Sequence, residues 1–212
     1  MRFIFEVIKI IFDRLVALAG IILMAIPMLI IIVVIKIDSK GKAVFRQERL
    51  GKNGKKFFVY KFRTMKATDV PFDVNHPVID HNDNNLTKVG WVIRRFKIDE
   101  LLQLINVFKG EMSLVGPRPL MSVYLPLYSE WELQKFKILP GMSGLAQIKG
   151  NCFLTVEERS YYDIQYIKKR SLFLDIEIMF KTIFVVIFGE ERFLSRVPQE
   201  EIERVKQEFY NK

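Results

Sequence analysis

The amino-acid sequence predicts an α+β fold, mainly helical, with an N-terminal membrane helix, interfacial amphipathic helices and a small β-hairpin. Three observations carry this. Residues 15–35 contain no charged side chain, an apolar run of about 21 residues where a helix needs ~20 to cross a bilayer. Residues 43–65 place β-branched and aromatic side chains on both sides of Gly51-Lys52-Asn53-Gly54, the pattern of a hairpin whose turn uses Asn-Gly. Much of the rest repeats apolar residues at helical spacing.

Residues 1–14 set Phe3, Ile4, Val7, Ile8, Ile11 and Phe12 against Arg2, Glu6, Lys9 and Asp13, an amphipathic lead-in suited to the membrane interface. Pro27, just past the middle of the apolar run, removes a helical hydrogen bond and crowds the carbonyl of Leu23, so a kink is expected. A sharp bend makes the segment re-entrant, returning to the side it came from; a mild one lets it span. Arg2, Lys9 and Arg14 precede the run and a basic belt follows it, and because basic flanks stay cytoplasmic this favours re-entry.

The net charge is +9, with 50% hydrophobic residues and a mean hydropathy of +0.14. Residues 36–66 hold eleven Lys or Arg against Asp38 and Glu48, a surplus equal to that of the whole chain. Beside an apolar anchor this belt reads as a contact with anionic lipids, each charge contributing ~1 kcal/mol, in preference to a nucleic-acid patch. The single cysteine, Cys152, rules out an intramolecular disulfide and fits a reducing compartment as an inert small residue.

Further along, residues 66–85 read as a loop, whose His76 and His81 lie among Asp73, Asp80 and Asp83 without a periodic scaffold that would hold a metal. Residues 86–96 read as a short helix bringing Arg94 and Arg95 near Asp99, either to contact phosphate or to pair with carboxylates. From Asp99 a second helix is expected, with Asp99, Gln103 and Asn106 on one polar stripe and Glu100 beside Asp99 in the first turn. There the free amides and the helix dipole favour an anion; the pair also serves as a plain cap. Pro117-Arg118-Pro119 fixes the backbone around one guanidinium suited to a phosphate. On the hairpin, Lys61 and Arg63 alternate with Tyr60 and Phe62 and can share one face, whether toward phosphate, lipid or solvent. Residues 123–136 read as helical despite Pro126, and 139–150 as a loop whose Gly141 and Gly144 permit close approach of a ligand. Residues 156–170, 172–188 and 200–210 read as helices, the second interfacial or in the core.

The longer motifs sharpen this. KFRTM (61–65), the block 92–119, LPGMSGLAQIKG (139–150) and YYDIQYIKKRSLFLDIEIMFKT (161–182) resemble the bacterial sugar transferase family, the monotopic phosphoglycosyl transferases that start glycan assembly on polyprenyl phosphate. The resemblance implies transfer of a sugar 1-phosphate from a UDP-sugar to undecaprenyl phosphate, releasing UMP, on the cytoplasmic face of the bacterial inner membrane. It further implies Asp99 as nucleophile, a Mg²⁺ ion held by Asp99 and Glu100, and Arg118, with Lys61, Arg63, Arg94 and Arg95, on substrate phosphate. Asp163 and Asp175 match acidic positions of the last block, as site or structural acids. The family's re-entrant helix usually carries a serine before the proline, where Ile26 stands here. It commonly has tryptophan and arginine where this chain has Leu145 and Asn151. The expected organisation is an anchor (1–36), a catalytic domain (37–197) and a helical tail (198–212). A membrane-anchored scaffold without activity, or a lipid- or nucleic-acid-binding module, are the alternatives.

Overall fold

A computed structural model describes residues 2–66 and 85–211, so the segment holding His76 and His81 lies outside the described residues. The first helix, α1 (Arg2–Asp38), contains Pro27 and continues on both sides of it. One missing hydrogen bond is not enough to end a helix this long and apolar. Leu23 and Ile26 on its surface are 73% and 72% exposed, while Ala17, Met28 and Ile35 join the main core. It is the one described helix long and apolar enough to cross a membrane.

The first turns of α1 are tied down by charge. Lys9 Nζ lies 2.6 Å from Asp175 Oδ2 and 3.4 Å from Asp13 Oδ2, and Ser113 Oγ donates to Asp13 at 2.6 Å. Tyr166 donates its hydroxyl to Asp175 at 2.6 Å, and Arg170 pairs with Glu6. Asp175 is therefore a docking group for α1, with its oxygens engaged inside the protein.

Strands β1 (Val44–Leu50) and β2 (Lys56–Phe62) form the expected antiparallel hairpin, with Val44 opposite Phe62 and Leu50 opposite Lys56. Asn53 (φ 58°) and Gly54 (φ 71°) supply its left-handed turn. Helix α2 (Lys88–Arg95) begins at Thr87, whose hydroxyl accepts from the Gly90 amide at 2.8 Å. Gly90 is required there, since a Cβ would lie 1.9 Å from the Thr64 carbonyl oxygen.

The next segment departs from expectation. No α-helix begins at Asp99: Lys97 adopts the left-handed conformation (φ 55°) and Ile98–Glu100 forms a 3₁₀ turn leading into α3 (Gln103–Lys109). The tighter winding follows from three-residue bonds such as Glu100 N to Lys97 O and Leu101 N to Ile98 O, both 3.1 Å. Asn106 does not face the same site as Asp99. It is fully buried against the edge of β2, accepting from the Tyr60 amide at 3.1 Å and donating to the Phe58 carbonyl at 2.7 Å.

Residues 139–150 are also more ordered than a ligand loop. β4 (Gly141–Ser143) pairs in parallel with β3 (Ser113–Val115). The glycines there serve backbone packing: a Cβ on Gly141 would lie 2.0 Å from Gly116 N, and one on Gly144 2.2 Å from Gly116 O. Residues 123–136 form no α-helix but two 3₁₀ turns, Ser122–Leu127 and Glu132–Lys137, because Pro126 has no amide to give.

The last helices fall where the periodicity puts them. α4 (Val156–Lys169) starts with a capping box between Thr155 and Glu158. α5 (Leu172–Phe188) buries Asp175, Ile178 and Val185 and exposes Phe173, Ile176, Phe180, Ile183 and Ile187. α6 (Gln199–Tyr210) packs Ile202 and Val205 on Trp131 and Ile164. Asp163 on α4 is buried 3.0 Å from Lys135, which makes it structural too.

Candidate active site

The 3₁₀ turn holds Asp99 inward, only 8% exposed, and its Oδ1 is buried without a hydrogen-bond partner among the described residues. The neighbouring carboxylate is occupied. Glu100 Oε1 accepts from Lys61 Nζ at 2.6 Å and from Arg118 Nη2 at 2.8 Å. Lys61 reaches it because it lies on the phase of β2 that points Phe57 and Val59 inward. Arg118 reaches it from the short run between Pro117 and Pro119 that follows β3.

Burial raises the Asp99 carboxyl to about 6, with the Glu100 charge adding to it and Lys61, Lys97 and Arg118 opposing. Burial also acts against ionised Glu100, but Arg118 and Lys61 hold it well below the usual carboxylate range. In return the Glu100 charge raises Arg118. Burial lowers Lys61, and Glu100 only partly restores it. The turn thus presents one ionised, clasped carboxylate and one poised carboxyl with a bare oxygen.

Two further cations and two further polar groups belong to this site. Arg49 on β1 donates to the Pro119 carbonyl at 3.3 Å and to Gln47 Oε1 at 2.6 Å. Burial, then the Arg118 charge, brings it down to about 10. Its signal in the sequence was only membership of the basic belt. Lys97 Nζ lies 2.8 Å from Glu190 Oε1, which also accepts from Asn151 Nδ2 at 2.9 Å. Nothing at the level of spacing brings residues 97, 151 and 190 together.

Arg63 and Arg95 are not brought to the carboxylates. β2 ends at Phe62, and Arg63 turns to the end of α1, donating to the carbonyls of Lys40 (2.5 Å), Ser39 (2.7 Å) and Ile35 (3.4 Å). Arg95 caps α5 through the Val186 and Ile187 carbonyls at 3.1 and 3.3 Å. Arg94 sits in the last turn of α2. Leu145 packs with the apolar cluster of Ala146, Leu154 and Tyr162.

Lys61, Arg49, Arg118 and Lys97 outnumber the three carboxylates Asp99, Glu100 and Glu190, so the site favours an anion. A buried carboxyl with a free oxygen amid such cations, on a domain docked to a long apolar helix, is the equipment of a membrane-associated enzyme acting on an anionic substrate.

Comparison with known proteins agrees. Residues 4–189 match the family model for bacterial sugar transferases, and the chain belongs to that family. It is 39% identical over 184 residues to the uncharacterized sugar transferase EpsL of Bacillus subtilis, covering 87% of this chain and 89% of EpsL. It is likewise 39% identical to the UDP-galactose-lipid carrier transferase of Erwinia amylovora, over 82% of this chain and 39% of that protein. The same identity holds for the UDP-glucose:undecaprenyl-phosphate glucose-1-phosphate transferase of Escherichia coli K12, over 71% of this chain and 34% of that one. The chain thus spans nearly all of EpsL but only about a third of the longer enzymes' length. It is a transferase of the phosphoglycosyl type.

Proposed function

We propose that the enzyme transfers a sugar 1-phosphate from a UDP-sugar to undecaprenyl phosphate and releases UMP, through a covalent intermediate on Asp99. The observation that carries this is the buried, unpartnered Oδ1 of Asp99 in a ring of cations. Ionised Asp99 attacks the phosphorus that bears the sugar; the bond to the bridging oxygen breaks and UMP departs with its electron pair. An oxygen of undecaprenyl phosphate then attacks the same phosphorus and breaks its bond to Asp99, which returns as the carboxylate. Arg118, Lys61 and Arg49 balance the charge of the diphosphate, and Lys97 flanks the nucleophile.

The donor set fits a Mg²⁺ ion. Asp99 offers a buried oxygen without a partner and Glu100 remains ionised beside it. Asp99 and Glu100 would hold the ion, whose other ligands would come from substrate phosphate and water. When bound, Mg²⁺ neutralises the diphosphate and lets two anionic oxygens approach.

The same reading places the catalytic domain on the cytoplasmic face. Both ends of α1 are fastened to one domain, the first by Lys9 and Asp13 and the last by Arg63 and by Asp38, which accepts from the Val89 amide at 3.3 Å. This is what a re-entrant anchor with two basic flanks requires.

The test is UMP release by the protein in nanodiscs holding undecaprenyl phosphate, with Mg²⁺ and a panel of UDP-sugars. Release is expected with one or a few of them, lost on chelation, and reduced at least ~10³-fold by Asp99→Asn. Full turnover by that variant, or a trapped phospho-sugar adduct at another residue, would sink the role of Asp99.

A further inference from the structure

Three non-glycine residues have positive φ among the described residues, and only Asn53 belongs to a hairpin turn. The other two, Lys97 (φ 55°) and Asn151 (φ 44°), converge on one carboxylate, Glu190 Oε1. Such backbone is strained and persists where the surroundings insist on the geometry, as they often do at active sites and ligand clamps. Here the surroundings do insist: the Ser195 amide donates to the Lys149 carbonyl at 3.0 Å, and a Cβ on Gly150 would lie 2.7 Å from Leu194 Cδ1. The loop carrying Asn151 is zipped to the segment carrying Glu190.

The other oxygen of Glu190 is served differently. Among the described residues Oε2 receives only the thiol of Cys152, at 3.3 Å, and a thiol is a weak donor that a hydroxyl displaces readily. The Glu190 side chain is 13% exposed, and its charge is felt by Arg118. Lys97 ties the group to the site, being two residues from Asp99 and acting on its charge. A carboxylate fixed on one oxygen and only weakly engaged on the other is a hydroxyl acceptor, and one neutralised by an ammonium can stand beside a diphosphate without repelling it.

We propose that Glu190, held by Lys97 and Asn151 at the rim of the Asp99 site, is a hydroxyl-reading position that accepts from a diol of the sugar-nucleotide donor while Lys97 faces its diphosphate. This rests on the donor class proposed above. Two diols fit the chemistry, that of the ribose and that of the transferred sugar.

The experiment is equilibrium binding to full-length protein in nanodiscs, in an Asp99→Asn background so that nothing turns over, with and without Glu190→Ala. The probes are UDP, 2′,3′-dideoxy-UDP, UDP-glucose and UDP-galactose. If Glu190 reads the ribose, Glu190→Ala weakens UDP at least ~10-fold and leaves dideoxy-UDP unchanged. If it reads the sugar, UDP is unchanged and at least one UDP-sugar loses that factor. Equal weakening of all four probes, or none, would show that Glu190 only braces the loop and would overturn the proposal. Isosteric Glu190→Gln, which keeps the loop filled, must show the same discrimination, a safeguard should truncation disorder the segment. Wild-type UMP release without probe discrimination overturns this subsite and leaves the transfer reaction standing. Discrimination without UMP release from any UDP-sugar does the reverse.

Discussion

At position 99 a carboxyl is withheld from water and from hydrogen bonds, and its ionisation is resisted until about pH 6. The nucleophile proposed for the transfer must be ionised, so kcat/KM is expected to fall about tenfold per pH unit below ~6, measured as initial UMP release across a pH series. The same shift sets a stability sign. The carboxyl binds its proton more tightly in the fold, at about 6, than in the unfolded chain near 3.8. Its stabilising contribution is therefore present at low pH and lost as pH rises through 6. Asp99→Asn is accordingly expected to be inactive yet more heat-stable than the wild type at pH 7.5, by about 1–3 kcal/mol, with the gap closing toward pH 4. A thermal-unfolding series at several pH values checks this, and an inactive variant that was less stable at neutral pH would point to disruption of the site instead. Asp99, Glu100 and Arg118 could be picked out from the sequence because they sit within twenty residues in one motif-bearing block. Arg63 and Arg95 misled for a shared reason: an arginine suits a helix's terminal carbonyls as well as it suits phosphate, and only the fold shows which is nearer. Lys97, Asn151 and Glu190 meet across long stretches of chain, which spacing alone does not reveal.

Among the elements, those with repeating patterns were legible and those ruled by a few backbone contacts were not. The hairpin, α4 and α5 follow from alternation, an Asn-Gly turn and helical spacing. The parallel pair β3–β4 has three residues a side, too short for a pattern, and is held by glycines that resemble a ligand loop in one dimension. Gly141→Ala would drive a methyl group to 2.0 Å from Gly116 N. It is expected to lose about 2–4 kcal/mol in chemical unfolding, together with activity, because β3 leads directly to Arg118. Arg63→Ala separates support from chemistry. By uncapping α1 it should lower stability by about 1–3 kcal/mol while leaving the KM for the UDP-sugar within twofold; a large KM rise would return Arg63 to the substrate.

For the whole molecule, the question is how the domain meets the lipid that carries its acceptor. α1 is long and apolar enough to hold the chain at a membrane, since Leu23, Ile26 and their neighbours expose far more apolar surface than water tolerates. α5 presents a second apolar face, with Phe173 80% and Phe180 61% exposed, on the helix whose Asp175 grips Lys9 at the start of α1. For the proposed reaction, two such faces joined by a buried ion pair would give a seat as well as a tether, α1 holding the protein at the bilayer and α5 setting the height and tilt at which Asp99 meets the acceptor's phosphate. Replacing Phe173 and Phe180 with glutamate removes about 1.5–3 kcal/mol of apolar burial at each position from the membrane contact. Both side chains stand clear of the core, so the fold should be little affected. The variant should stay in the membrane pellet. Its UMP release with undecaprenyl phosphate in vesicles should drop at least ~10-fold, while release with a short, water-soluble polyprenyl phosphate is unchanged. Equal loss with both acceptors would mean that this face of α5 supports the fold or the donor site and does not bed the domain in lipid.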